Sequence, residues 1–377
     1  MAKSITPNQI KQNNRSLIYH YIYKKRKTSQ QEISYELHLS RPTVTANLAD
    51  MEKDGLIIKN GLIDTEYVGR KAAAYSIDAN YRIGIGVEIL KKEINMIAVN
   101  LYGEKIDRTA CDITFERKEP YFETVCRKIL DFKNTLGIRE EQILGIGFAM
   151  QGLSAPDGQT ILYGKILSCT GLSLSRFSCH LPYPCTFIHD ADSAALSELW
   201  VSPELSDGFY LSLSRHLGAA IISKRIILSG KHGHNSTIEH IQMRPGGAKC
   251  YCGRQGCMET LLSLESLLRE NETLDDFFQN ARNGDSSASS RWNRFLTDLA
   301  DAINMLHLIY DTNFILGGYI APYLCTDDLD FLYNRIQQLT PFTEPQDFLL
   351  ISKMPRHSIT IGAALPYIQA FLSRPDL

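Results

Sequence analysis

The sequence predicts a small winged helix-turn-helix head over residues 1–80 and an α/β body with a mixed sheet over residues 81–377. Three observations carry this. Helix-period apolar stripes and a glycine turn fill the first eighty residues. Buried apolar runs then alternate with helical patterns. A cysteine knuckle, Cys250-Tyr251-Cys252-Gly253-Arg254-Gln255-Gly256-Cys257, interrupts the body.

The 377 residues, 44% hydrophobic and 22% charged, are those of an ordinary soluble protein. No apolar run has membrane-spanning length, and Met1 to Pro7 carries no hydrophobic signal region, so a cytoplasmic chain without a membrane partner is expected. The net charge of −2 hides an asymmetry. Residues 1–80 hold 12 Lys+Arg against 8 Asp+Glu, net +4, and the rest holds 28 against 34, net −6. A basic head on an acidic body suggests that only the head meets a polyanion.

In the head, Ile10, Leu17, Ile18, Tyr21 and Ile22 mark a first helix from Thr6 to Tyr23, closed by Lys24 to Lys27, a favourable place for cations. Ser29-Gln30-Gln31-Glu32 fits a capping box opening a second helix to Leu37. His38-Leu39-Ser40 is the turn, and a third helix runs to Asp54 with Val44, Leu48 and Met51 inward. Leu56–Lys59, Asn60-Gly61 and Leu62-Ile63 read as a hairpin. The third helix is expected to present Arg41, Thr43, Thr45, Ala46 and Asn47 to a major groove of double-stranded DNA, with Arg70 and Lys71 on the backbone or minor groove. A helical domain for protein contacts is the alternative.

Three thiolates and an imidazole, Cys250, Cys252, Cys257 and His240, complete a tetrahedral zinc shell with no position left for water, so the predicted Zn2+ is structural. Gly253 and Gly256 let the chain fold back to one ion. The alternative is core thiols near a surface histidine, the reading given to the six scattered cysteines.

In the body, strands are expected at Arg82–Val87, Ile94–Leu101, Ile143–Ala149, Thr186–Ile188, Phe209–Leu213, Ala219–Ser223 and Phe314–Gly318. Helices are expected at 120–136, 191–200, 260–269 and 291–309, with a loop at 280–290.

The knuckle with His240 and Glu259 resembles the ROK family of bacterial repressors and sugar kinases. So do His189-Asp190-Ala191-Asp192-Ser193-Ala194-Ala195 (family Asn-Asp-Ala-Asn-X-Ala-Ala), Ile315-Leu316-Gly317-Gly318, and the winged head with Gly69-Arg70-Lys71. The resemblance implies an actin-like, ribonuclease-H-like two-lobed ATPase fold with a sugar in the cleft, and homodimers or homotetramers.

Against that family, Glu88-Ile89-Leu90-Lys91-Lys92 stands where the first phosphate loop reads Asp-X-Gly-Gly-Thr. Ser214-Arg215-His216-Leu217-Gly218 stands where the second reads Gly-Thr-Gly-X-Gly. Backbone cradles for phosphate need those glycines, so phosphoryl transfer is expected to be lost. On the sugar side, the resemblance assigns Asp190 the catalytic-base position, His240 and Glu259 the site lining, and His189 and Thr237 positions of altered specificity, Thr237 replacing a glutamate. Asp190 also reads as a helix N-cap. The expectation is a repressor of carbohydrate genes answering to a neutral sugar or glycoside, with Asp190 and Glu259 as acceptors. The alternatives are a sugar kinase with an appended DNA-binding head, and an interaction module.

Overall fold

The computed structural model describes residues 6–63, 71–354, 356–375 and 377. In the head, α1 (Pro7–Lys25) begins at Thr6, whose side chain and backbone share a reciprocal capping box with Gln9. Strand β1 (Thr28–Ser29) leads into α2 (Gln30–Glu36), where the Ser29 hydroxyl accepts from the Glu32 N–H. In the turn His38 sits at φ 52°, a left-handed conformation unusual for a side chain with a Cβ. Helix α3 (Arg41–Lys53) follows with Ser40 as its N-cap. Ile18, Ile22, Ile33, Val44, Leu48 and Met51 are buried together and fix the three helices.

The wing differs from expectation. Asn60-Gly61 does not reverse the chain. Residues Ile57–Ile63 form one strand, β2, antiparallel to β3 (Ala72–Ile77), with a register slip between Lys59 and Leu62. Gly61, at φ +79°, supplies the extra residue of this bulge. The link from β2 to β3 runs through residues 64–70, so Arg70 and Gly69 lie outside the described residues.

The body holds two five-stranded sheets of one topology. The first contains β4 (Ile83–Ile89), β5 (Ile94–Val99) and β6 (Lys105–Cys111). It continues past α4 (Glu119–Thr135) with β7 (Ile143–Met150), the flap strands β8 (Leu153–Ser154) and β9 (Ile161–Tyr163), α5 (Ser175–Ser178) and β10 (Cys185–His189). Helix α6 (Asp190–Val201) crosses to the second sheet, which begins with β11 (Gly208–Leu213), β12 (Leu217–Ser223) and β13 (Ile226–Ile227). After the knuckle come α7 (Glu259–Leu262), α8 (Leu264–Leu267), α9 (Leu274–Arg282) and α10 (Ser286–His307). Then follow β14 (Phe314–Gly317), α11 (Thr326–Leu339), β15 (Leu349–Ile351) and α12 (Ser358–Leu372). The orders are β10-β7-β4-β5-β6 and β13-β12-β11-β14-β15. In each, three strands meander antiparallel and two more add in parallel beside the first.

Helices α6 and α12 pack on one another between the sheets. Close approach is what the small residues of β4 and β7 permit. A Cβ on Gly86 would sit 1.7 Å from the Thr360 carbonyl oxygen, and one on Gly147 would sit 1.9 Å from that of Ala363. The far end of α12 reaches the head. Ile361, Leu365, Ile368 and Phe371 share a core with Ile18 and Ile22. The His20 ring lies 2.8 Å from the Leu372 carbonyl oxygen, and Arg26 stacks 3.4 Å over the Tyr102 ring while pairing with Glu104.

Other expectations are corrected. The helix expected at 260–269 breaks at Ser263, whose extended backbone divides α7 from α8. The loop expected at 280–290 shrinks to 283–285, because Thr273 and Asp285 cap α9 and α10 with their side chains. Among the described residues no helix is long and apolar enough to cross a membrane.

Candidate functional site: an interlobe cleft beside a cysteine–histidine knuckle

The knuckle folds on its own backbone. The Cys250 N–H donates to the Arg254 carbonyl at 2.8 Å, and the Gly253 N–H donates to that of Cys250 at 2.9 Å. Gly253 and Gly256, at φ 95° and 74°, take the left-handed turns that bring the ends back. His240 arrives from a short 3-10 turn, Ile238–His240. The four donor atoms of His240, Cys250, Cys252 and Cys257 lie within 4.8 Å of one another. Cys252 and Cys257 sulfurs are 3.8 Å apart, and His240 Nδ1 is 3.8 Å from the Cys250 sulfur. A tetrahedral ion with sulfur bonds of about 2.3 Å places sulfurs about 3.8 Å apart, so the donor set fits zinc. Burial, with Arg254 nearby, holds His240 below the ordinary histidine value, in the neutral form a metal binds. Burial opposes ionisation of Cys252, but hydrogen bonds centred on Arg254 bring its thiol below the ordinary value.

Between the lobes lies a cleft of about 780 Å³, lined from one side by the β4–β5 turn and from the other by the β11–β12 turn and the knuckle. A side chamber of about 30 Å³ adjoins it, walled by His189, Asp190, Glu239, His216, Tyr251 and Gln151 among others. That chamber has room for about one water.

Asp190 opens α6, and its Oδ1 accepts from the Ala191 N–H at 2.8 Å. The N-cap position belongs to His189, not Asp190. His189 Nε2 lies 3.2 Å from Asp190 Oδ1. Burial alone would lower this histidine, but Asp192 and Asp190 outweigh it and lift it to about 9, so His189 stands as a cation beside Asp190. Burial raises Asp190, with His189 pulling the other way.

Glu259 is not an open acceptor. His216 Nδ1 lies 2.7 Å from its Oε1, and the Leu217 N–H donates to its Oε2 at 2.8 Å. Burial pushes the Glu259 carboxyl up, with His216 pulling the other way, and Glu259 in turn lifts His216 against its own burial. The ring of Tyr251 stands edge-on to both His216 and His240, at 5.6 and 5.1 Å, and ties the knuckle to the second loop.

Two expected lining residues sit elsewhere. Thr237 spends its hydroxyl on the His234 carbonyl at 3.1 Å and does not line the cleft. His240 turns Nδ1 to the sulfurs, and its Nε2 is buried 3.8 Å from Glu239, which does line the chamber. Burial pushes the Glu239 carboxyl up to about 7.

Neither loop offers a glycine cradle. In the first, the Leu90 N–H donates to the Glu93 carbonyl inside a tight turn with Lys91 and Lys92 at its tip. Glu88 is buried beneath it, accepting from Thr360, Tyr319 and Asn95 at 3.1, 3.3 and 3.4 Å, and burial lifts it to about 7. In the second, the Leu217 amide is the one Glu259 occupies. The remaining glycine, Gly218, serves packing: a Cβ there would meet the Ala191 Cβ at 2.9 Å.

On the head, Arg41, Thr45 and Ala46 face solvent and Thr43 is half-buried, its hydroxyl 2.8 Å from that of Ser40. Asn47 is 3% exposed and donates to the Thr43 carbonyl, so its outward placement is overturned. Three residues after Val44 and four before Met51, it lies on the face of α3 that both bury. Lys71 lies at the entry to β3. The sequence reading missed Gln151, His216, Glu239 and Tyr251 as cleft residues; only the glycine lost at His216 gave a signal.

The sequence model of the ROK family matches residues 84–365. The chain belongs to the ROK family. A winged helix-turn-helix DNA-binding model matches residues 12–58. A putative xylose repressor of Caldicellulosiruptor sp. is 26% identical over 269 residues, 70% of this chain and 67% of that protein. The DNA-binding transcriptional dual regulator NagC of Escherichia coli is 24% identical over 255 residues, 67% of this chain and 63% of that protein. These ROK relatives are thus matched over about two thirds of their own length. Among solved structures, a ROK family transcriptional regulator, a homolog of the Escherichia coli MLC protein, superposes with TM-score 0.72 and 21% identity over 97% of both chains. A ROK family glucokinase of Streptomyces griseus, in complex with glucose and AMPPNP, superposes with TM-score 0.65 and 20% identity over 76% of this chain and 99% of that one. Both share the actin-like ROK fold.

Proposed function

We propose that this ROK protein is a DNA-binding transcriptional regulator, a repressor of carbohydrate genes, that uses its cleft to sense a sugar and not to phosphorylate one. The observation that carries the reading is the second loop: the Leu217 amide at the phosphate position is taken by the chain's own Glu259 carboxylate. The relatives named as a putative xylose repressor and a DNA-binding transcriptional dual regulator, with the winged-helix match, support the DNA half. We divide the chain at residue 80, the head reading DNA and residues 81–377 holding the ligand. We take zinc to be structural, held by His240, Cys250, Cys252 and Cys257, and the protein to act in the cytoplasm as a homodimer or homotetramer on an inverted repeat.

Ligand would act by favouring one arrangement of the lobes. Helix α12 is the link. Near its start, Ser193 and Ser197 of α6 donate to the carbonyls of Ile359 and Ser358, and Thr360 donates to Glu88 below the first loop. Its last residues hold α1. In the head, Arg41 reaches base or phosphate, Thr45 and Ala46 face the groove, and Arg70 and Lys71 track the backbone.

A mobility-shift titration of the gene's own upstream DNA tests this. The full chain is expected to shift it, with Arg41→Ala weakening binding about tenfold or more, the size of a lost base contact. No shift of any nearby fragment at low salt refutes the DNA half. A kinase carrying a DNA-binding head remains the second reading, favoured by the retained Asp190 at the cleft.

A further inference from the structure

We propose that the head selects thymine in its operator through a methyl group, the Cγ2 of Thr45, and that Gln30 holds Thr45 in the rotamer that presents it. This rests on the DNA-binding reading of the head and narrows what that head selects.

In a winged helix-turn-helix, the model matched over residues 12–58, the helix after the turn enters the major groove. Here that helix is α3. Pro42, Thr45, Ala46 and Ala49 are exposed and recur three and four residues apart, so they share one face of it. Most of the polar side chains of α3 are spent within the head. Asn47 is buried and donates to the Thr43 carbonyl at 2.8 Å. The Thr43 hydroxyl lies 2.8 Å from that of Ser40. Asp50 pairs with Lys11 at 2.9 Å, and Glu52 pairs with Lys59 at 3.0 Å. Arg41 stands at the edge of the exposed face, and Lys53 lies at its far end. The middle of the face is apolar except for Thr45.

The Thr45 hydroxyl is also committed. It has one hydrogen, and it donates that hydrogen to the Arg41 carbonyl at 2.8 Å. The Gln30 side-chain amide, from the start of α2, donates to the same oxygen at 2.5 Å. A helical threonine divides between two rotamers because its hydroxyl can bond a carbonyl one turn back. Two bonds on one oxygen select a single rotamer. The hydroxyl then has no hydrogen left for a base acceptor, and the methyl is the group Thr45 offers beside Ala46. Thymine is the base that carries a methyl in the major groove. Gln30 is a positioning residue in this arrangement, acting through Thr45.

The test uses operators selected from random duplex DNA by the full, zinc-loaded chain. Each thymine of one half-site is replaced singly by uracil, which removes one methyl and no hydrogen bond. For at least one thymine, uracil is expected to weaken binding about fourfold, the size of one buried methyl group. Thr45→Ser keeps the hydroxyl and removes the methyl. It should weaken binding by about the same factor per half-site and be indifferent to uracil at that position. Thr45→Val keeps a methyl and removes the hydroxyl, and it should bind as tightly as the native chain and stay sensitive to uracil. Gln30→Ala should lower the discrimination between thymine and uracil, which a purely structural role would leave unchanged. The melting temperatures of the variants report that the head is folded. Loss of affinity in Thr45→Val but not in Thr45→Ser would overturn the inference and leave DNA binding standing. So would the lack of any uracil-sensitive thymine, or a sensitivity unchanged in Thr45→Ser. Retention of no duplex at low salt would overturn both.

Discussion

The two walls of the cleft have opposite architectures. The knuckle wall is closed: four donor side chains converge on one point, and Gly253 and Gly256 turn the chain to bring them there. The loop wall is open: its tips carry Lys91, Lys92 and Arg215 into the cleft, and the Leu217 amide of the second loop is already satisfied by Glu259. The difference separates two ways of holding charge. A metal shell needs a fixed geometry of side chains, and any one loss destroys it. A phosphate cradle needs bare backbone, and any side chain at its glycines fills it. The donor set of the knuckle fits a metal shell, whereas the loop tips carry side chains, and α6 against α12 is the scaffold that relates the two walls.

Breaking the closed wall should have the largest effect. Cys257→Ser is expected to drop zinc from about one ion per chain to near zero by elemental analysis. It should remove several kcal/mol of folding free energy, since a structural zinc contributes its binding energy to the fold. Full stability without metal would mean that the cysteines are packing thiols. Next is the seam between the walls. Glu259→Ala leaves the buried Leu217 amide and the half-buried His216 ring unpartnered. It should cost about 1–3 kcal/mol by denaturant unfolding while zinc stays bound, and simultaneous loss of metal would show that the walls are one unit.

Smaller effects lie in the head and beneath the first loop. Asn47→Ala and Arg41→Ala should divide by mechanism: the buried Asn47 loses about 1–2 kcal/mol of stability, whereas Arg41→Ala leaves the melting temperature unchanged and weakens DNA. An effect of similar size is the pH dependence of Glu88. Burial raises its folded carboxyl from 4.5 to about 7. The folded state therefore holds the proton more tightly, and stability falls as pH rises through that window. Glu88→Gln should flatten the slope and raise stability above pH 7 by about 1–3 kcal/mol. An unchanged slope would place the titration elsewhere.

Legibility in the sequence followed the range of each interaction. The helices of the head were legible because Thr6, Ser29 and Ser40 cap them within three residues. The knuckle was legible because its ligands lie within eighteen residues. Asn60-Gly61 misled because a glycine at positive φ serves a bulge as well as a turn, and pairing with Ala72–Ile77 decides which. Helix α12 was not legible. Ser358-Ile359-Thr360-Ile361-Gly362, β-branched and followed by Pro366, carries no helical preference, and its helicity comes from packing on α6, β4 and β7. The His216–Glu259 pair joins residues 43 apart, so no local pattern announced that Glu259 was already spoken for.

The most direct measurement is turnover: ADP release by the purified, zinc-loaded chain with Mg-ATP across a panel of hexoses, pentoses and amino sugars. The account predicts no sugar-dependent release above background. Turnover of about 1 s⁻¹ or faster, the range of working enzymes, with loss on Asp190→Asn, would contradict it.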